Sequence, residues 1–147
     1  MLGVYNKKLM KTFSKVSKNL DMEHVLIVHG DDGLDEITIT SETSVIELKD
    51  YKIKEYKITP KDFGLGLASF DEISASSAQE SLSLVKEAFS GENSAVQDMI
   101  AINSGAALYI ARIVDSISDG VELAFELMNN GMAANKLAAY VRVSNNR

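Results

Sequence analysis

The residues with the clearest potential for chemistry lie in a short acidic loop that follows an apolar run. Residues 25–28, Val-Leu-Ile-Val, are typical of a strand buried on both faces in an α/β fold. The adjacent acids Asp35 and Glu36 follow shortly after this run. Mg²⁺ takes oxygen ligands and is usually held by one or two carboxylates together with substrate phosphates. Asp35 and Glu36 are therefore candidate Mg²⁺ ligands, and a solvated loop is the alternative that acidic runs generally favour.

Four other polar residues near this strand have weaker claims to a chemical role. Asp31 and Asp32 are predicted to shape and solvate the loop. His29 stands at the exit of the strand, where α/β proteins place their sites, so an active-site role stays open for it. His24 stands near the entrance, and we interpret it as structural. With no third partner at zinc spacing, the two histidines make a poor zinc site.

Three short stretches resemble known sequence motifs, but each lacks residues that the motif requires. Residues 62–64, Asp-Phe-Gly, spell the kinase metal-binding tripeptide, yet no His-Arg-Asp loop or Gly-rich phosphate strand accompanies them. Residues 64–69 half resemble a dinucleotide fingerprint but lack its third glycine. The acids from Asp31 onward do not fit the spacing of an EF-hand calcium loop. Residues 62–64 are therefore interpreted as a connection whose Phe63 packs into the core.

The composition is typical of a soluble protein, and 147 residues suffice for one domain. The net charge of −6 argues against nucleic acid as a partner, because a phosphate backbone attracts basic surfaces. Lysines crowd the first twenty positions, which predicts a solvated helix face, with a phosphate-attracting patch as the alternative. The chain has no cysteine, which is compatible with a cytoplasmic location, and no signal peptide is visible.

The longest apolar run, residues 95–114, is interrupted by Gln97, Asp98, Asn103 and Arg112. These polar residues argue against a membrane span. An alanine-rich run that is apolar nearly all round predicts a central, buried helix instead.

Hydrophobic periodicity predicts an α/β fold with a sheet and flanking helices. Leu9, Phe13, Val16 and Leu20 share one face of a helix predicted over residues 6–20.

The strand signals lie in the first half of the chain. Ile37 and Ile39 alternate with threonines in the period of two that is typical of strands. Residues 45–48 and 53–58 predict a hairpin whose turn lies near Asp50.

The second half of the chain is predicted to be helical. The first helix starts at a capping box of Ser77 and Glu80 and ends at Gly91, and the second covers residues 94–114. The third runs from Ser118 or Asp119 to Gly131, with Asp119 and Glu122 as its cap pair. The fourth covers residues 132–143. No repeat or linker is visible, so a single α/β domain is expected over residues 1–147.

A family resemblance runs through the chain in order, over residues 2–38, 45–65, 88–111 and 119–137. Its most specific piece is Val-His-Gly-Asp-Asp-Gly-Leu-Asp-Glu at residues 28–36, followed by Lys-Asp-Phe-Gly-Leu at residues 61–65. These stretches resemble the carboxyl-terminal half of the anthranilate phosphoribosyltransferases.

The resemblance implies an activity and a metal. The family transfers a phosphoribosyl group from phosphoribosyl pyrophosphate to the amine of anthranilate in tryptophan biosynthesis. Mg²⁺ ions bind the pyrophosphate, and the acid pair of the Gly-Leu-Asp-Glu motif, which falls on Asp35 and Glu36, ligates them. Mg²⁺ would stabilise the charge that gathers on departing pyrophosphate.

The departures from the family pattern limit these implications. The family's Gly-rich pyrophosphate loop, ribose-phosphate loop, anthranilate-binding residues and helical domain do not map onto these 147 residues. The chain is therefore expected to be a partial domain, inactive alone and without the family's homodimer interface. The alternatives are a non-catalytic binding or assembly module and a relative of the pyrimidine-nucleoside phosphorylases; the Gly-Leu-Asp-Glu motif disfavours the latter.

Overall fold

A computed structural model describes residues 1–145 of the chain. Its elements are β1 (Leu2–Gly3), α1 (Met10–Asn19), β2 (His24–Gly30), β3 (Thr43–Lys49), β4 (Lys52–Ile58), α2 (Ala78–Ser90), α3 (Ser94–Ile110), α4 (Ile117–Asn129) and α5 (Met132–Asn145). Short 3₁₀ turns lie at Lys7–Leu9, Pro60–Phe63 and Phe70–Glu72. The predicted class, an α/β sheet with flanking helices, is confirmed, while residues 146–147 of the predicted domain lie outside the described residues.

The strands form one sheet in the order β1-β2-β3-β4. Strand β1 runs parallel to β2, and the other neighbours are antiparallel. The predicted β3–β4 hairpin is confirmed, and Asp50 and Tyr51 at its turn have φ values of 49° and 61°. Two central residues with positive φ are characteristic of the tight hairpin turn whose twist matches that of the strands.

Helices cover both faces of β2, as its apolar sequence predicts. Val25 and Ile27 pack with Met10 of α1 on one face. Leu26 and Val28 belong to the larger core cluster on the other face, where α3 contributes Ala101, Ile102 and Ala106 and α4 contributes Val121, Ala124 and Met128. By contrast, β4 is an edge strand with mostly exposed side chains. The sheet is thus anchored through its middle strands.

Helix α1 buries only part of the face that its spacing predicted, because Leu9 and Phe13 pack against the core while Val16 and Leu20 do not. Val16 and Leu20 are exposed by 45% and 69%, whereas Ser14 and Ser17 are buried. The small serines let the helix lie close to the sheet, and the Ser14 hydroxyl is satisfied by the Lys11 carbonyl at 3.0 Å. The prediction of an apolar face through Val16 and Leu20 is therefore wrong for packing inside this chain. The lysines of this region are exposed, as a solvated helix face requires.

Helix α3 is central, as predicted, and ends earlier than predicted, at Ile110. It crosses α4 with the backbones almost in contact, because glycines face each other there. A Cβ added to Gly120 would meet the carbonyl oxygen of Gly105 and come within 2.8 Å of its Cα. Among residues 1–145, no helix combines the length and the apolar character that crossing a bilayer requires.

The caps of α2 and α4 differ from the predicted pairs. The Ser77 hydroxyl accepts from the backbone N–H of Glu80, as predicted, but the Glu80 carboxylate accepts from Ser76, at 2.7 Å from its backbone N. For α4, the cap is Ser116, whose hydroxyl accepts from the Asp119 N–H, so the helix begins at Ile117. The predicted cap pair of Asp119 and Glu122 is therefore wrong.

The segment from Ile37 to Thr40 is not a strand, although its residues alternate. Ile37, Thr38 and Ile39 are all fully buried, so the alternation of isoleucine and threonine does not separate a solvent-exposed face from a buried one. Side chains, rather than a neighbouring strand, bond part of its backbone: the Thr38 N–H donates to the Thr43 hydroxyl at 3.0 Å. Hydrogen bonds of this kind, from backbone to side chain, satisfy buried backbone groups without pairing to a neighbouring strand.

Candidate functional site

The loop between β2 and β3, residues 31–42, carries five acids and is closed by its own backbone. The Asp31 N–H donates to the Glu42 carbonyl, and the Gly30 N–H donates to the Leu34 carbonyl, both at 2.8 Å. Gly33 has a φ of 99°, a left-handed conformation that residues with a Cβ rarely adopt. The chain therefore turns sharply after β2, and the acid pair follows the turn.

Asp32 is an internal brace of this loop. Its carboxylate accepts from the Leu34 N–H at 3.0 Å, from the Thr38 hydroxyl at 2.6 Å and from the Thr40 hydroxyl. Partial burial alone would raise the pKa of Asp32, but the hydrogen bonds from Thr38, Thr40 and Leu34 outweigh it and hold the pKa below its usual range. The prediction that Asp32 shapes the loop is confirmed.

Asp31 is occupied by cations of the protein itself. Its carboxylate oxygens lie 2.8 Å from the Lys57 ammonium and 3.3 Å from that of Lys7. Lys57 also contacts the Glu42 carboxylate at 2.5 Å. The hydrogen bond from Lys57 is the main cause that lowers the pKa of Asp31. The same contact raises the pKa of Lys57. Asp31 thus has its own counter-charges and does not need a metal ion.

Asp35 and Glu36 have no such partners. Both side chains are exposed, and among residues 1–145 no donor hydrogen-bonds or ion-pairs to either carboxylate. The same residues contain no group of three or more potential ligands that could enclose a metal ion. Two open carboxylates fit Mg²⁺, which usually keeps waters and completes its coordination with substrate phosphates rather than with an all-protein cage.

Two residues outside the loop fix the backbone of the acid pair. A Cβ added to Gly3 of β1 would overlap the Asp35 carbonyl oxygen, so the two backbones are packed directly against each other. On the other side, the Asn103 amide of α3 bonds both backbone groups of Ile37, accepting from its N–H at 3.0 Å and donating to its carbonyl at 2.8 Å. The sequence gives no signal for Gly3. For Asn103 the signal is its polarity within an apolar helix.

The structure assigns a structural contact to each histidine. The Nδ1 of His29 lies 2.7 Å from the Val4 carbonyl oxygen and so ties β2 to the residue after β1. A further, active-site role for His29 stays a prediction. His24 is buried and its Nε2 lies 3.0 Å from the Glu47 carboxylate, which confirms the structural interpretation.

Glu47 is the centre of a second polar cluster, at the opposite end of β2 from the acidic loop. Besides His24, its carboxylate accepts from the hydroxyls of Tyr109 at 2.8 Å and Tyr56 at 3.1 Å. Burial, reinforced by the neighbouring Glu47 carboxylate, raises the pKa of Tyr56 and of Tyr109, although Lys49 opposes the shift at Tyr109. This cluster joins three strands to α3 and takes no part in the candidate metal site.

We expect Asp32→Asn to weaken the fold at neutral pH and to matter less in acid. Because the folded pKa of Asp32 is depressed, the carboxylate stabilises the native state above its unfolded pKa, near 4, and this contribution is lost as the pH falls through the folded value. Loss of a carboxylate that accepts several hydrogen bonds should lower the free energy of unfolding by about 1 kcal/mol at pH 7. Urea unfolding between pH 7 and pH 3 measures the difference. Asp71→Asn, at an exposed acid whose carboxylate makes no hydrogen bond with residues 1–145, should show no such convergence; equal pH profiles for both variants would contradict the expectation.

The fold and the acidic loop define a class of protein. Residues 1–134 match the family described as "Glycosyl transferase family, a/b domain", and the chain belongs to this family.

Two similar curated proteins carry the same name. The chain is 46% identical over 142 residues to the anthranilate phosphoribosyltransferase of Alkalilimnicola ehrlichii, and 42% identical over 144 residues to that of Vesicomyosocius okutanii. These alignments cover 97% and 98% of the chain but 42% of each relative. The chain therefore spans less than half the length of the curated relatives that it matches.

Solved structures agree with the sequence comparison. The anthranilate phosphoribosyltransferase of Thermus thermophilus superposes with a TM-score of 0.86 at 29% identity, covering 97% of this chain and 42% of that one. A Saccharomyces cerevisiae variant of the same enzyme, solved with Mg bound, superposes with a TM-score of 0.79 at 26% identity, covering 92% and 40%.

Proposed function

We propose that this chain supplies the metal-binding side of a phosphoribosyltransferase site. In this proposal Asp35 and Glu36 hold Mg²⁺, and the diphosphate oxygens of phosphoribosyl pyrophosphate complete the coordination. The observation that carries the proposal is the division of the loop. Asp31 and Asp32 are satisfied by lysines and threonines, whereas Asp35 and Glu36 are exposed and unpaired within residues 1–145. The names of the relatives support the substrate class, and the Mg-bound yeast relative supports the metal.

The reaction requires charge stabilisation at the leaving diphosphate. Mg²⁺ between the diphosphate and the two carboxylates would neutralise the negative charge that gathers as the bond to the ribose carbon breaks. Asp35 and Glu36 would hold that group in place through side chains on a backbone that is itself fixed. Lys7 and Lys57 neutralise Asp31 and so limit the repulsion that the Asp31 carboxylate would exert on the diphosphate.

We propose that anthranilate, the acceptor amine, is bound by elements that the relatives carry outside the matched 42% of their length. The same elements would supply the remaining contacts to the phosphates. On this proposal the chain is inactive by itself, acts in the cytoplasm, and does not form the family's homodimer on its own.

The test is binding of a preformed Mn²⁺–pyrophosphate complex, followed by electron paramagnetic resonance, with Mn²⁺ standing in for Mg²⁺. We expect weak binding by the wild-type chain, because pyrophosphate completes a cage that two carboxylates alone do not form. Asp35→Asn and Glu36→Gln should each lower the affinity at least about tenfold, which corresponds to about 1.4 kcal/mol.

Matched controls are available on the same surface. Asp71→Asn and Glu92→Gln remove the same charges from exposed acids outside the loop and should leave the affinity unchanged. A similar loss in all four variants would indicate a non-specific charge effect and would remove the assigned role. Unchanged affinity in the loop variants would instead favour the second candidate, a non-catalytic assembly module. That alternative is suggested by Leu20 and Tyr5, which are exposed by 69% and 75%.

A further inference from the structure

We infer that Asn103 is a positioning residue for the candidate metal site, and that it acts through the peptide bond between Glu36 and Ile37. The inference rests on the proposed function of Asp35 and Glu36 and extends it to a side chain that lies 66 positions after Ile37 in the chain. The hydrogen bonds of Asn103 within residues 1–145 go to Ile37 and Met99, and none goes to the Asp35 or Glu36 carboxylate.

The amide of Asn103 replaces a neighbouring strand for Ile37. Its oxygen accepts from the Ile37 N–H at 3.0 Å, and its nitrogen donates to the Ile37 carbonyl at 2.8 Å. The same nitrogen lies 3.0 Å from the Met99 carbonyl one turn earlier in α3. The amide is therefore held by its own helix while it holds the loop, and its geometry leaves little freedom at either end.

The consequence for Glu36 follows from peptide planarity. The N–H of Ile37 and the carbonyl of Glu36 belong to one planar unit. Because Asn103 of α3 holds this N–H, the orientation of that plane is fixed. The direction in which the Glu36 side chain leaves the backbone is fixed with it. The Ile37 side chain is fully buried, which prevents the loop from rotating away from the helix.

Gly3 supports the pair from the other side. Direct contact of the Gly3 and Asp35 backbones leaves the loop no room to move toward β1. The two carboxylates are thus free side chains on an immobilised backbone. Weak metal sites depend on such support, because residues behind the ligands commonly change metal affinity by about 10–100-fold.

The experiment measures affinity for the Mn²⁺–pyrophosphate complex in Asn103→Leu, which keeps the number and branching of the side-chain heavy atoms and removes the hydrogen bonds to Ile37 and to the Met99 carbonyl. We expect a loss of about tenfold. The matched control is Gln97→Met, because Gln97 is also an amide of α3, is buried, and bonds the Ala88 carbonyl and the Asn129 side chain, both at 3.0 Å. Gln97→Met should destabilise the fold without changing the affinity. Both variants are compared in conditions where circular dichroism shows them folded.

A double variant separates positioning from general loosening. If Asn103 acts through Glu36, then Asn103→Leu combined with Glu36→Gln should bind no more weakly than Glu36→Gln alone. Equal affinity in wild type and Asn103→Leu, while Glu36→Gln binds more weakly, would overturn the inference and leave the proposed function intact. Equal losses in Asn103→Leu and Gln97→Met would also overturn it. A wild-type chain that binds no complex would overturn the proposed function, and the role of Asn103 with it.

Discussion

We expect a chimeric anthranilate phosphoribosyltransferase carrying this chain to lose roughly a hundredfold in kcat/KM when Asp35 is changed to Asn or Glu36 to Gln. In the chimera the chain replaces the matching part of the Alkalilimnicola ehrlichii enzyme, to which it is 46% identical. The loss is large because the proposed ligands act on charge that develops as the diphosphate departs, when electrostatic stabilisation is worth most. Initial rates against phosphoribosyl pyrophosphate at fixed anthranilate measure it.

The dependence on Mg²⁺ gives this prediction its sharpest control. A weakened metal site fills at higher metal concentration, so raising Mg²⁺ should restore part of the activity in Asp35→Asn and Glu36→Gln. Asp71→Asn and Glu92→Gln should behave like the unmodified chimera at every Mg²⁺ concentration, because these exposed acids lie outside the loop. Full activity of the loop variants at limiting Mg²⁺ would show that the acid pair does not bind the metal.

We expect Gly120→Leu to cause the largest loss of stability. Even the first carbon of a side chain at this position would lie within 2.8 Å of the Gly105 Cα, so α3 and α4 must separate to admit it. Overpacking of this kind costs about 3 kcal/mol and sometimes more. That corresponds to a fall in Tm of roughly 10 °C for a chain of this size. Thermal unfolding followed by circular dichroism measures the change.

The control for this stability prediction is Gly66→Leu. Apart from Gly66 and its two chain neighbours, no heavy atom of the described residues lies within 4 Å of a Cβ added to Gly66, and its backbone is not in the left-handed region. The same substitution there should change the free energy of unfolding by less than about 0.5 kcal/mol. Equal stability of the two variants would mean that the helices accommodate a side chain at their crossing, contrary to the contact seen in the structure.

The sequence predicted the parts of the fold that depend on local pattern. The continuous apolar run at Val25–Val28 marks a strand buried on both faces, and the structure places it in the middle of the sheet. The alanine-rich run that begins near Ser94 forms the central helix α3. Asp35 and Glu36 were singled out by their position after that strand and then by the family resemblance. Their metal-binding role stays a prediction.

The remaining features depend on contacts between distant residues, which no local pattern encodes. Ile37 and Ile39 alternate like strand residues, yet Ile37 pairs with the Asn103 amide, 66 residues away. Val16 follows the apolar period of α1, but the sheet accepts the small Ser14 and Ser17 more closely. In each case tertiary packing decides between local preferences that are nearly equal.

The buried cluster around Glu47 gives the protein a spectroscopic label of its own. The chain has five tyrosines and no tryptophan, so tyrosine dominates its near-ultraviolet absorbance. Tyr56 and Tyr109 both donate to Glu47, and burial beside that carboxylate delays their ionisation as the solution is made alkaline. Because Tyr109 lies in α3 and Glu47 in β3, late ionisation of Tyr109 reports whether α3 still packs on the sheet, without any dye or engineered probe.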